Sequence, residues 1–184
     1  LRSVVDSASV GLKPIIVLGL NAGMGSTDIS NFLIADLPDL DTRDVWIDTN
    51  RGKTGAPRRF ILWPETREAI KAWLVRRPSP CSDVADRLFW TPHGVAWVRD
   101  QMDSISKAFL QTRREAGITK GTFYDLRRAF QTVGAETLEY RAVSYVMGHT
   151  VSEKDMSGRY TVAIPDDRIK KVCDHVRKWY RGGK

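Results

Sequence analysis

The sequence predicts a mainly helical protein with one small antiparallel β-sheet. Two observations lead there. Apolar residues recur at helical spacing over several long stretches, most clearly Ile169, Val172, Cys173 and Val176 between Asp166 and Tyr180. Only one pair of short β-type runs flanks a turn-forming segment, and strand and helix patterns do not alternate along the chain. No repeat or low-complexity segment interrupts the pattern. The 184 residues are read as one domain, 1–184, long enough for a sizeable core.

The elements follow in order. The first residues have helical character. Residues 14–20, Pro-Ile-Ile-Val-Leu-Gly-Leu, form an apolar run too short to decide between helix and strand. Residues 27–35 are amphipathic and expected to be helical. Val45 to Asp48 and Arg59 to Leu62 are the two β-type runs, and the nine residues at 49–57 between them are a turn by composition. Pro64 suits the first turn of a helix over 64–76, Glu65 suits its N-terminal dipole, and Arg76 and Arg77 suit its end. Ile70, Trp73 and Leu74 share its apolar face. A Pro/Ser/Asp linker covers 78–86, and Leu88-Phe89-Trp90 is a short buried strand or turn. Val98 to Ala116 reads as one long helix ended by Gly117. Further helices are expected over 123–136, 139–147 and Asp166 to Tyr180.

Composition narrows the function classes. With 42% hydrophobic and 28% charged residues this is ordinary globular material. There is no signal peptide and no apolar run near 18 residues, so no membrane role is expected. Cys81 and Cys173 lack metal-ligand spacing and are read as free thiols of a reducing cytoplasm. Charge is uneven. Residues 1–50 carry three Lys or Arg and seven Asp or Glu, whereas residues 51–184 carry 26 and 15. The basic part suits a polyanion, nucleic acid first, although a merely solvated basic surface fits as well. The chain begins at Leu1 and is read as a fragment of a longer protein.

Chemistry concentrates between Tyr124 and Tyr160. The chain there reads Tyr124-Asp125-Leu126-Arg127, Met147-Gly148-His149 and Gly158-Arg159-Tyr160, with Arg, His and Tyr 22 and then 11 residues apart. An arginine can hold nonbridging phosphate oxygens with its planar fork, a histidine can position the phosphate or handle a proton, and a tyrosine can supply a nucleophilic oxygen. An unassisted phenol has a pKa near ~10 and needs such cations to attack as phenolate. Lys53, in the expected hairpin turn, would ordinarily be a solvated lysine.

These motifs resemble the catalytic domain of the tyrosine recombinase, or phage integrase, family. The resemblance covers roughly 13–181 and is most specific in its C-terminal half. It implies that family's DNA breaking-rejoining fold, mostly helical with a small sheet on one side. It also implies site-specific DNA recombination or integration through a 3′-phosphotyrosyl intermediate, as in phages and mobile elements. Tyr160 would be the nucleophile, with Arg127 and His149 steadying the phosphate. Lys53, followed by Thr54-Gly55 and the strand Arg58-Arg59-Phe60, matches the hairpin lysine that protonates the leaving 5′ oxygen. Tyr124 stands where the family has His, and can still donate a hydrogen bond. Arg51, Arg58, Arg59, Arg128 and Arg159 are expected to meet DNA; Arg128 points roughly 100° from Arg127 and has a neighbouring carboxylate as its other candidate partner. No cofactor and no metal is implied. The expected partners are double-stranded DNA and further copies of the protein in a synaptic assembly, in the bacterial cytoplasm or on the nucleoid. The family's N-terminal DNA-clamping domain has no counterpart in the sequence.

One departure is serious. The family places its first catalytic arginine in Gly-Leu-Arg-x-x-Glu-Leu. The matching segment is Gly23-Met24-Gly25-Ser26-Thr27-Asp28-Ile29, with Gly25 at the arginine position. Removing one charge-stabilising donor of this kind slows such reactions by roughly 10²–10³. A catalytically degenerate DNA-binding module on the same scaffold is therefore the alternative. A nucleotide-binding reading of the glycine-rich segment fails: the dinucleotide pattern lacks its third Gly or Ala, and Gly52-Lys53-Thr54 has Ile47 where a P-loop needs Gly.

Overall fold

A computed structural model describes residues 1–149 and 164–183. Among these it contains helices α1 (Arg2–Ser7), α2 (Leu12–Asn21), α3 (Ser26–Ser30), α4 (Pro64–Arg76), α5 (Ser104–Glu115), α6 (Tyr124–Ala135), α7 (Tyr140–Val146) and α8 (Asp166–Tyr180). Two antiparallel hairpins complete it: β1 (Trp46–Asn50) with β2 (Pro57–Ile61), and the minimal pair β3 (Val98–Arg99) with β4 (Met102–Asp103). Mainly helical with a small sheet is therefore the observed class.

The undecided apolar run is helix α2. All its residues except Lys13 are buried, so it is apolar around nearly its whole circumference and forms the centre against which α4, α5, α6 and α8 pack. A continuous apolar run has no polar face to reveal its period, which is why sequence left it open. Asn21 closes α2 and is fully buried. Its side chain donates to the Ile61 carbonyl (2.9 Å) and accepts from the Trp63 amide (2.9 Å) and the Thr66 hydroxyl (2.8 Å). Every hydrogen-bonding group it buries thus has a partner, and the end of β2 is pinned to the central helix.

Two expected helices shorten. The 27–35 helix ends at Ser30, and a 3-10 turn at Ile34–Asp36 follows. The helix expected from Val98 begins only at Ser104. Asp100 takes a positive φ of 47° and the chain folds back as β3–β4. The Asp103 carboxylate then caps α5, accepting from the Ser106 amide (2.9 Å) and the Ser26 hydroxyl (2.7 Å). An N-cap aspartate fixes a helix start more strongly than apolar spacing extends it.

Helix α8 covers the β2–α4 junction. Trp63 donates its indole N–H to the Cys173 carbonyl (3.0 Å) and stacks on Tyr180, and Glu65 pairs with Arg177 (2.8 Å). Burial pushes the Cys173 thiol up to about 12, so it is an inert packing residue. Cys81 is exposed and also free.

Candidate active site

Helix α7 ends in the Met-Gly-His motif, and each residue has a separate task. Met147 is buried in the core. Gly148 has φ +64°, and a Cβ there would lie 3.0 Å from the Arg51 Cβ and 3.3 Å from the Arg58 Nε, so a side chain is excluded on both counts. This turn breaks the helix, and the amide of His149 bonds back to the Ser144 carbonyl (2.9 Å). The Met147 carbonyl is left free to accept from outside, at the negative end of a helix.

Two arginines use it. Arg127, on α6, donates from both terminal nitrogens to the Met147 carbonyl (3.2 Å each) and from Nη1 to the Gly23 carbonyl. Arg58, on β2, donates to the same Met147 oxygen at 2.8 Å. Gly23 has φ +59°, a left-handed conformation that favours glycine. Arg127 Nη2 lies 2.7 Å from His149 Nε2. A guanidinium only donates, so His149 accepts at Nε2 and carries its proton on Nδ1. Burial, then the charges of Arg127, Arg51 and Arg58, hold the His149 pKa below its ordinary value. The ring is therefore neutral at pH 7.

Asp28, from α3, balances part of this charge. Its Oδ2 lies 3.5 Å from Arg58 Nη1 and 3.8 Å from Arg51 Nε. Arg58 is almost wholly buried, and burial outweighs Asp28 to bring its pKa to about 10. Arg127 is lowered by burial and by the Arg51 charge, against the pull of Asp28. Among the described residues the result is a cluster of three arginines and one neutral histidine with a single carboxylate, an arrangement that favours a bound anion.

The sequence-expected residues distribute as follows. Arg127 and His149 are in direct contact. Arg51 and Arg58 join them through Asp28 and Met147. Arg58 was expected at a DNA surface but points inward with Phe60, two residues along the strand. That period-2 alternation was the available signal. Lys53 is exposed in the β1–β2 turn. Arg59 lies on the opposite strand face, bonded to Asp48 and Asp166 (2.8 Å) and over the Trp46 ring. Tyr124 is exposed in the first turn of α6, under the Arg128 guanidinium at 5.1 Å, and Arg128 also pairs with Asp125 (3.3 Å). Tyr160 and Arg159 lie outside the described residues. Gly25 opens α3, and a Cβ there would meet nothing within 4 Å. Asp28 was visible in sequence as the acid of the damaged motif; its bridging of two hairpin arginines was not. Among the described residues no group of His, Cys, Asp and Glu is placed to hold a metal ion, and no helix is long and apolar enough to cross a membrane.

A family model described as "Phage integrase family" matches residues 2–164. The chain belongs to the phage integrase family. Solved integrases and recombinases share its fold at low identity. The lambda integrase catalytic core superposes with a TM-score of 0.60 at 13% identity, covering 83% of this chain and 90% of that one. The XerH site-specific recombinase bound to its difH substrate gives 0.63 at 20%, covering 82% and 45%. XerA recombinase gives 0.60 at 18%, covering 98% and 62%. No curated protein matches. The chain spans about half of a lambda integrase chain that includes more than the core, 48% of the one bound as a dimer to a core site. The fold is thus that of the tyrosine recombinase catalytic domain within this family.

Proposed function

We propose that this chain is the catalytic domain of a site-specific recombinase that cuts and rejoins double-stranded DNA through a tyrosine. The observation that carries the reading is the Arg127–His149 contact, with the Arg127 side chain held by the carbonyls of Gly23 in the glycine-rich loop and Met147 at the α7 end. Preorganised donors of this kind stabilise a pentacoordinate phosphate without reorganising. In the reaction, the Tyr160 oxygen attacks the scissile phosphorus and passes its proton to solvent water. A bond from phosphorus to the tyrosine oxygen forms, the bond to the 5′ oxygen breaks, and Lys53 protonates the departing oxygen. The 3′-phosphotyrosyl link conserves the phosphodiester energy, so the chemistry requires no nucleotide or metal. Exposed Lys53 on a hairpin tip is free to approach a bound duplex.

Relatives support the partner. Structures named for lambda integrase include a dimer bound to a core site and a tetramer bound to a Holliday junction, and XerH is described before and after cleavage of its substrate. By analogy this chain would act on duplex DNA as an assembly of copies, with further domains completing site recognition. The bare Gly25 position favours a second reading, a DNA-binding module that no longer cuts.

The test is covalent trapping. A pool of randomised duplexes nicked beside each candidate scissile phosphate is incubated with the protein, and denaturing electrophoresis reads the adduct. The recombinase reading expects an adduct that Tyr160→Phe abolishes. DNA binding that falls steeply with salt, without any adduct, supports the second reading.

A further inference from the structure

The family motif puts its first phosphate-binding arginine at the start of a helix, and this chain has Gly25 there. The carboxylate three residues on is retained as Asp28. Asp28 Oδ2 faces two arginines from the β1–β2 hairpin, Arg51 at 3.8 Å and Arg58 at 3.5 Å. Arg58 is sealed in by the fold and bonded to the Met147 carbonyl. Arg51 differs. Its side chain keeps 23% of its surface accessible and runs across Gly148 with its Cβ 3.0 Å from where a Gly148 Cβ would be; its buried Nε, like that of Arg58, has no hydrogen-bond partner among the described residues. The Arg51 backbone is fixed at the hairpin mouth, donating to the Ala56 carbonyl and accepting from the Gly55 amide, both at 2.8 Å. The Arg51 charge also depresses both Arg127 and His149, which marks it as a member of the same cluster.

We propose that Arg51 supplies, from the hairpin, the second phosphate-binding guanidinium that Gly25 does not, with Asp28 orienting it and buried Arg58 bracing it. The inference rests on the recombinase reading and names the residue that completes its phosphate site. Arg51 meets the nonbridging oxygen opposite Arg127. Arg58 is a positioning residue: it holds Asp28 and the Met147 carbonyl in place and does not reach the phosphate. The close fit at Gly148 follows, since any side chain there would push Arg51 away from Asp28. Moving the cation from α3 to the hairpin places it two residues from Lys53, so one element delivers both the clamp and the acid.

Inorganic phosphate is the probe, because its binding needs no cleavage. It is titrated into the whole chain while the His149 ring protons are followed by NMR. Arg51→Ala is expected to weaken phosphate binding at least about tenfold, as loss of one charged bidentate contact does. Arg51→Lys, which keeps the charge without the fork, falls between. Adding Gly25→Arg to Arg51→Ala restores most of the affinity, because the Gly25 position is open and its φ of −82° accepts any residue. Circular dichroism confirms that each variant is folded, and Arg51→Gln, which keeps most of the stem, substitutes if Ala is not. Phosphate affinity within about twofold of wild type in folded Arg51→Ala or Arg51→Gln overturns the proposal. If phosphate binding needs Arg51 but wild type forms no covalent DNA adduct, the anion site stands and the recombinase reading falls. If adduct forms and Arg51→Ala changes neither adduct nor phosphate affinity, the Arg51 assignment falls and the recombinase reading stands.

Discussion

Replacing Arg58 with methionine separates what the buried guanidinium does for the site from what it does for the fold. Burial, eased by Asp28 and worsened by Arg127 and Arg51, brings its pKa from 12.5 to about 10. A drop of that size is about 3 kcal/mol against the charged form, and the folded protein carries it at neutral pH. Against it stands the 2.8 Å bond to the Met147 carbonyl. A hydrogen bond from a charged donor contributes roughly 1.5–3 kcal/mol. Methionine is a similar length, needs no partner, and removes penalty and bond together. Asp28 keeps Arg51, and the Met147 carbonyl keeps Arg127. Arg58→Met should therefore lie between unchanged and about 1.5 kcal/mol more stable, as is common when a buried ion is replaced by an apolar residue of its size. Urea unfolding at pH 7 measures this directly. The thermal midpoint should rise by no more than about 6 °C. A loss above about 2 kcal/mol would refute the reasoning, because the guanidinium would then be a net support of the fold.

Two further outcomes follow from the same geometry. Gly23→Ala forces a left-handed φ on a residue with a Cβ and crowds Met147 Cγ and Phe130 at 3.1 Å, so unfolding should show a loss of about 2–4 kcal/mol. His149 should titrate below the ordinary histidine value of 6.5 by NMR. The unfolded chain then binds the extra proton first, so this group's contribution to stability is complete above about pH 6.5 and is lost as pH falls from there to the folded pKa. A His149 pKa at or above 6.5 would contradict the placement of three arginines around it.

The helices at 64–76 and 166–180 were legible to the residue because their ends carry Pro, acidic and basic signals in addition to apolar spacing. The start of α5 was not, because its cap, Asp103, is shared with Ser26 from 77 residues away. The site was half legible. Arg127 and His149 share a motif order that survives in one dimension. The Asp28 link to Arg51 and Arg58 joins the α3 start to a hairpin, and only tertiary packing puts those segments side by side. The inward direction of Arg58 was available from strand alternation with Phe60, yet a charged residue in a basic run reads first as surface.

The central claim is that the chain cuts DNA with Tyr160. Its most direct test is tandem mass spectrometry of the protein after trapping on nicked duplexes and nuclease trimming. The account predicts a peptide carrying a 3′-linked nucleotide on Tyr160, absent from Tyr160→Phe and sharply reduced in Arg127→Ala. A nucleotide on Tyr124 or Tyr145 instead, or no modified peptide from protein that binds the same duplexes, would contradict it.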